Sequence, residues 1–230
     1  MAQVTLAGDR RTSVDDIFDH LHKKIVKLEL KPGDRISEAE IAALFGVSRQ
    51  PVRDAFSRLA NLDLLLIRPQ RATEVRRFSM RQIEKARFVR ASVEKEVVLR
   101  AAQNCDATGA AQLDAALLLQ GAAVESGDVA TFGKLDFDFH KTICSIAKAD
   151  YAFEVIQHEK AKIDRLCILG REKEQRLPLL AEDHRIIAEA IKSHDAETAI
   201  DASVTHLSRL DQTIERITAI NANYFEPTDL

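Results

Sequence analysis

The sequence predicts a mostly α protein: an N-terminal winged helix-turn-helix followed by a C-terminal antiparallel six-helix bundle. Three observations carry this reading. Of 230 residues, 46% are hydrophobic and 30% charged, enough to bury a full core and, at this length, to divide into two domains. Aromatic residues are 5% with no Trp, and Ala, Leu, Ile, Glu, Lys and Arg dominate, a usage that favours helices packed on helices. A short alternating, β-branched stretch ending at Val75 interrupts helical periodicity and gives way to it again after Ser79.

Residues 1–12 read as a flexible N-terminus, 13–77 as the winged domain and 78–230 as the bundle. Ser13 with Asp16 starts the first helix, whose Ile17, Phe18, Leu21, Ile25 and Leu28 fall at helical spacing until Lys31-Pro32-Gly33 stops it. Ser37 with Glu40 opens a short second helix, with Ile41, Leu44 and Phe45 expected inward and Gly46 ending it. Ser48 is expected to cap a third helix that tolerates Pro51 in its first turn. At 100° per residue, Val52, Ala55, Phe56 and Leu59 share one arc of that helix, while Arg49, Gln50, Arg53 and Ser57 share the opposite one. An Arg and Gln face at the start of such a helix suits major-groove reading, because an Arg fork matches guanine and Gln can pair with adenine. Leu64–Ile67, the turn Arg68–Arg71 and Ala72–Val75 then form a β-wing with Arg68 and Arg71 at its tip, a shape that lies over phosphates or the minor groove.

Charge and composition narrow the function further. The net charge of −3 hides an asymmetry: residues 1–77 hold 14 basic residues against 11 acidic ones, and the rest 19 against 25. A polyanion is drawn to the first part and repelled by the second. The eight glycines are too scattered to write a phosphate-cradling loop or a dinucleotide fingerprint. Three cysteines without a CxxC pair argue for a reducing compartment, and no apolar run approaches a membrane span, so the expectation is a soluble, cytoplasmic protein.

Six helices are expected after the wing, at roughly 79–104, 107–125, 128–148, 151–169, 178–193 and 195–221. The third has Phe132, Leu135, Asp136, Phe139, His140 and Ile143 on one stripe, so a carboxylate and an imidazole four apart stand on a face that otherwise wants burial. His184 shares a stripe with Leu180, Ile187 and Ile191, and His206 with Ala202, Ser203 and Leu210. Four inward groups on three helices point to a single metal site, since a buried carboxylate is costly unless paired or metal-bound. One carboxylate and three imidazoles suit one divalent cation per chain, Zn²⁺ first, with Ni²⁺, Mn²⁺ or Fe²⁺ also fitting. Cys144, one turn past His140, reads as a small buried hydrophobe.

The run KPGDRISEAEIAALFGVSRQPVRDAFSRLANLDLLLIRPQRATEV resembles the DNA-binding domain of the GntR superfamily of bacterial transcriptional regulators, with SRQPVRDAF its most specific word. That resemblance implies that Arg49 and Arg53 read bases or phosphates, that Ser48 and Gln50 support them, and that Arg71 makes a wing-tip contact. Asp63 and Ala72 stand where the family usually has glycines. LDFDFHKTI, EDHRIIAEAI and THLSRL resemble the FCD ligand-binding domain of FadR-type members, in its six-helix, VanR-like form. The resemblance implies metal ligands at Asp136, His140, His184 and His206, and an effector-facing Arg90 ahead of Glu94. It implies no enzyme but a metabolite-responsive regulator, a repressor that binds a palindromic double-stranded DNA operator as a homodimer and senses a small organic acid. Two readings of the residues stay open beside it. One is a metal-dependent hydrolase using the Asp/His₃ site; the other is constitutive DNA binding with a purely structural metal.

Overall fold

The computed structural model describes residues 13–167, 169 and 173–227, so the N-terminal stretch 1–12, expected to be flexible, lies outside the described residues. The chain divides into two compact units, residues 80–220 and a unit formed by the residues up to 79 together with 221–230.

The first unit begins with α1 (Ser13–Val26), β1 (Arg35–Ile36), α2 (Glu38–Phe45) and α3 (Arg49–Asn61), and the hairpin β2 (Leu65–Leu66) and β3 (Thr73–Val75) follows. Val52, Ala55, Phe56 and Leu59 are buried against Ile17, Leu21 and Ile25 of α1, the face that the spacing selects. Leu44 departs from expectation and is 64% exposed, its inward place taken by Ala42. The unbroken apolar run Ile41–Phe45 gives no phase by which to choose. Leu28 also lies beyond α1, at φ 58, where the chain leaves the helix in a left-handed turn.

Ser48 occupies the N-cap position of α3, yet its hydroxyl makes no capping bond. Counting from Ser48, the third helical residue is Pro51, which has no N–H to offer the cap. The sheet has a third strand that the pattern did not reveal: β1 pairs antiparallel with β3, in the order β1-β3-β2. Gly33 makes this approach, at φ 92 with its N–H donating to Val75 O at 2.8 Å, and a Cβ there would meet the Arg77 guanidinium. Asp63, at a family glycine position, has φ 57, whereas the left-handed residue of the wing turn is Gln70, φ 58.

Residues 221–227 return to this unit. A single 3₁₀ turn, Ala222–Tyr224, leads to Phe225, which bridges Phe78 in parallel, and Arg77 donates to Asn223 O at 3.1 Å. The break in pattern at 77 assigns this tail to the bundle instead, because a stretch this short carries no periodicity of its own.

The second unit contains α4 (Met80–Asn104), α5 (Ala107–Glu125), α6 (Val129–Ile146), α7 (Asp150–Cys167), α8 (Lys173–Lys192) and α9 (Ala196–Ile220). Asp106, Asp128 and Asp195 cap α5, α6 and α9 through bonds of 2.8 to 3.0 Å to the backbone N–H three residues on. The α8 helix starts ahead of the expected 178 and carries Pro178 inside it, one turn or more past its first residue. The main core joins Val97, Val98 and Ala101 of α4 to Phe139 and Ile143 of α6 and Ile187 and Ile191 of α8. No helix among the described residues is long and apolar enough to cross a membrane.

Candidate functional site

Two sets of polar side chains stand out. On the first unit, Ser48, Arg49, Gln50 and Arg53 are all exposed along the open face of α3. They are not idle. Gln50 Nε2 donates to Asp54 Oδ1 at 2.9 Å, and Arg53 Nε donates to Glu38 Oε2 at 2.9 Å, fastening α3 to α2. Arg71 is exposed beside Arg68 in the wing turn, closed by Arg71 N donating to Arg68 O at 3.3 Å. Arg35 of β1 joins these two around a polar hollow on the wing, a contribution from the strand that periodicity missed.

In the second unit, Asp136 and His140 of α6, His184 of α8 and His206 of α9 come together. One donor atom from each lies within 4.8 Å of all the others. Asp136 Oδ1 is 3.5 Å from His184 Nε2 and 3.9 Å from His140 Nε2. Both of these buried nitrogens lack any hydrogen-bond partner among the described residues, an expensive arrangement unless something else binds them. The donor set therefore fits a cation with nitrogen and oxygen ligands.

Polar groups stand behind all three imidazoles, and the one behind His184 is hydrogen-bonded to it. Gln120 Oε1 of α5 accepts from His184 Nδ1 at 2.8 Å, and Gln120 Nε2 donates to Leu135 O, which fixes the amide's orientation. With Nδ1 protonated, His184 turns the lone pair of Nε2 toward Asp136. Glu94 Oε2 of α4 lies 3.4 Å from His140 Nδ1, and Asp183 Oδ2 of α8 lies 3.7 Å from His206 Nδ1. Glu94 is itself paired with Arg90 at 2.9 Å, and Asp183 accepts two bonds of 3.1 Å from Arg209. His184 is also stacked on Phe139, ring centroids 4.4 Å apart.

Burial pushes the His140 imidazole down to about 3 and the His184 imidazole well below its ordinary value, so both are neutral near pH 7 and able to ligate. Burial opposes ionisation of Asp136, but His140, Lys160 and the two other imidazoles outweigh it and hold its carboxyl well below the usual carboxylate range. Burial likewise opposes ionisation of Asp183, yet the neighbouring His206 imidazole and the bonds from Arg209 bring it down to about 2. Burial raises the Cys144 thiol to about 12, and Cys144 stands outside the cluster of four.

Beside this cluster opens a cavity of about 180 Å³. Asp136 and His206 form part of its wall, with Arg90, Lys160 and Arg176 as cations and Phe132, Leu180 and Leu210 among its apolar surfaces. Arg90, 4% exposed, thus reaches the cavity wall while its Nε serves Glu94. Sequence reasoning missed Glu94, Gln120 and Asp183 as supports, although Gln120 gave a signal: it is the lone polar residue in the run ALLLQGAAV, and it is 1% exposed.

Known proteins carry the same two parts. Residues 13–75 match the family described as bacterial regulatory proteins, gntR family, and residues 86–209 match the FCD domain. This chain belongs to the GntR family and carries an FCD domain. The HTH-type transcriptional repressor RspR of Escherichia coli is 32% identical over 209 residues, 91% of this chain and 92% of that one. The regulator LutR of Bacillus subtilis is 25% identical, covering 86% of this chain and 96% of its own. Among solved structures, E. coli McbR/YncC superposes with a TM-score of 0.65 at 20% identity, over 90% of this chain and 98% of that one, a likeness of fold. As a GntR/FCD protein the chain is a DNA-binding transcriptional regulator rather than an enzyme.

Proposed function

We propose that this regulator is a metabolite-responsive repressor that binds a palindromic operator as a homodimer, with Arg49 and Arg53 reading the major groove, Ser48 and Gln50 supporting them and Arg71 on the backbone. Half-sites one turn apart need two recognition helices, which is why a two-fold dimer suits the task. In the bundle, Asp136, His140, His184 and His206 hold one divalent cation, Zn²⁺ first among those their chemistry suits. A small carboxylate effector reaches the same place from the cavity and pairs with Arg90. When bound, the cation supplies Lewis acidity and open coordination positions for carboxylate oxygen. Arg90 orients that group and Glu94 keeps Arg90 and His140 aligned.

The single observation that carries this reading is the pair of buried, partnerless Nε2 atoms facing Asp136 beside a cavity walled by cations. Two inward carboxylates that the sequence did not disclose, Glu94 and Asp183, do not favour a hydrolase, since each is engaged with an arginine and stands behind an imidazole. Relatives named as repressors support the sign of regulation. The test is a thermal melt of metal-loaded and chelator-treated protein with a panel of organic acids, run beside fluorescence anisotropy on operator DNA. The expected result is an acid that raises the melting temperature and lowers operator affinity in the metal-loaded protein alone. Metal uptake without any acid response would reduce the cation to a structural role, and no uptake at all would remove the site.

A further inference from the structure

The cavity beside the four ligands is ordered in layers along the helices. Arg176, Leu180 and His184 occupy successive i, i+4 positions of α8, which sets Arg176 about 12 Å along the axis from His184. On α9 the order His206, Leu210, Thr213 runs the same way, and on α6 so do Asp136, Phe132 and Val129. Thr213 Oγ1 accepts from Arg176 Nη1 at 3.1 Å, which confirms that the two helices meet at that level as they do at His184 and His206. Lys160 belongs to the other end, with its Nζ 3.7 Å from Asp136 Oδ2. The cavity therefore has a head where Arg90 and Lys160 stand beside Asp136 and His206, an apolar middle of Phe132, Leu180 and Leu210, and a second cationic end at Arg176.

We propose that the effector is a short dianion with a hydrocarbon spacer, one carboxylate at the four-ligand head and the second on Arg176, making Arg176 the residue that selects diacids over monoacids. This rests on the carboxylate-effector reading above. A volume of about 180 Å³ lies below that of drug-sized sites and limits the ligand to a small metabolite. Two of the five guanidinium donors of Arg176 suffice for a bidentate carboxylate while another stays on Thr213. A methyl group in place of the second carboxylate leaves that guanidinium without its anion. Hydroxyls along the spacer would face leucine and phenylalanine side chains and lose their hydrogen bonds to water.

The test is isothermal titration calorimetry on full-length, Zn²⁺-loaded protein with matched probes of four to six carbons. These are racemic malate against 2-hydroxybutanoate, 2-hydroxyglutarate against 2-hydroxypentanoate and 2-hydroxyadipate against 2-hydroxyhexanoate, with galactarate as the hydroxylated six-carbon diacid. We expect at least one diacid to bind about tenfold or more tightly than its monoacid partner and more tightly than galactarate. In Arg176→Met that preference should collapse to within about twofold, with monoacid affinity and Zn²⁺ content unchanged, and Thr213→Val should lower it part of the way. Equal binding of diacids and monoacids, tighter binding of galactarate, or an intact preference in Arg176→Met would overturn the proposal while leaving the carboxylate-effector reading in place. If no probe of either kind binds, the carboxylate-effector reading falls, and this one with it.

Discussion

The two units put their working side chains in opposite surroundings. Arg49, Gln50, Arg53 and Arg71 stand in water, with partners that are single surface contacts such as Glu38 and Asp54. His140, His184 and His206 are buried, and each is backed by a polar group from another residue: Glu94, Gln120 or Asp183. A hydrated charge can be removed with little effect on folding. A buried polar network is stable only when every member is satisfied, so removing one member exposes the need of another. Ligand binding and folding are thus separable measurements on the first unit and nearly one measurement on the second.

The strongest challenge to that contrast is to compare the protein with and without the proposed cation. Chelation, or His184→Ala, should lower the stability of the bundle by about 4 kcal/mol at a thousandfold excess of free metal over Kd, measured by chemical denaturation with and without metal. An unchanged melting curve would show that the imidazoles do not depend on a ligand. Next comes Glu94→Ala, which strands the buried Arg90 guanidinium and should cost about 3 to 5 kcal/mol even in chelator, a loss that metal cannot explain. On the other unit, Arg49→Ala or Arg53→Ala should weaken specific operator binding by roughly 1 to 3 kcal/mol. The melting temperature should move little in either variant, and a large drop would break the separation of binding from folding. The smallest effect belongs to Arg71→Ala, expected to reduce the slope of log K against log salt by about 1 and to weaken specific and non-specific DNA alike.

The same contrast governs what the sequence made legible. Inward and outward faces of α3 could be read because Val52, Ala55, Phe56 and Leu59 recur at one period over a helix long enough to show it. The cluster of Asp136, His140, His184 and His206 was readable for a related reason: a polar residue on an apolar stripe contradicts its surroundings. Their supports were not, because Glu94 and Asp183 look like ordinary helix carboxylates until another helix brings an imidazole to them. Two residues are too few to alternate, so β1 left no mark. Pro178 looked like a helix start, the position where its missing N–H costs nothing, and only the packed α8 shows the helix running through it.

Phe225 has a consequence in time. During synthesis the core formed by α1, α2, α3 and the hairpin can close once the residues up to Val75 have emerged. Its last pieces cannot. Phe78 waits for Phe225, Arg77 for the carbonyl of Asn223 and Arg76 for Glu226, all on the far side of six helices. At roughly 5 to 20 residues per second that wait is on the order of 10 to 30 seconds, the time in which all six helices of the second unit are made. The part of the molecule that begins synthesis is the part completed last, so a ribosome that stalls before Phe225 releases a sensor whose reader is still unfinished.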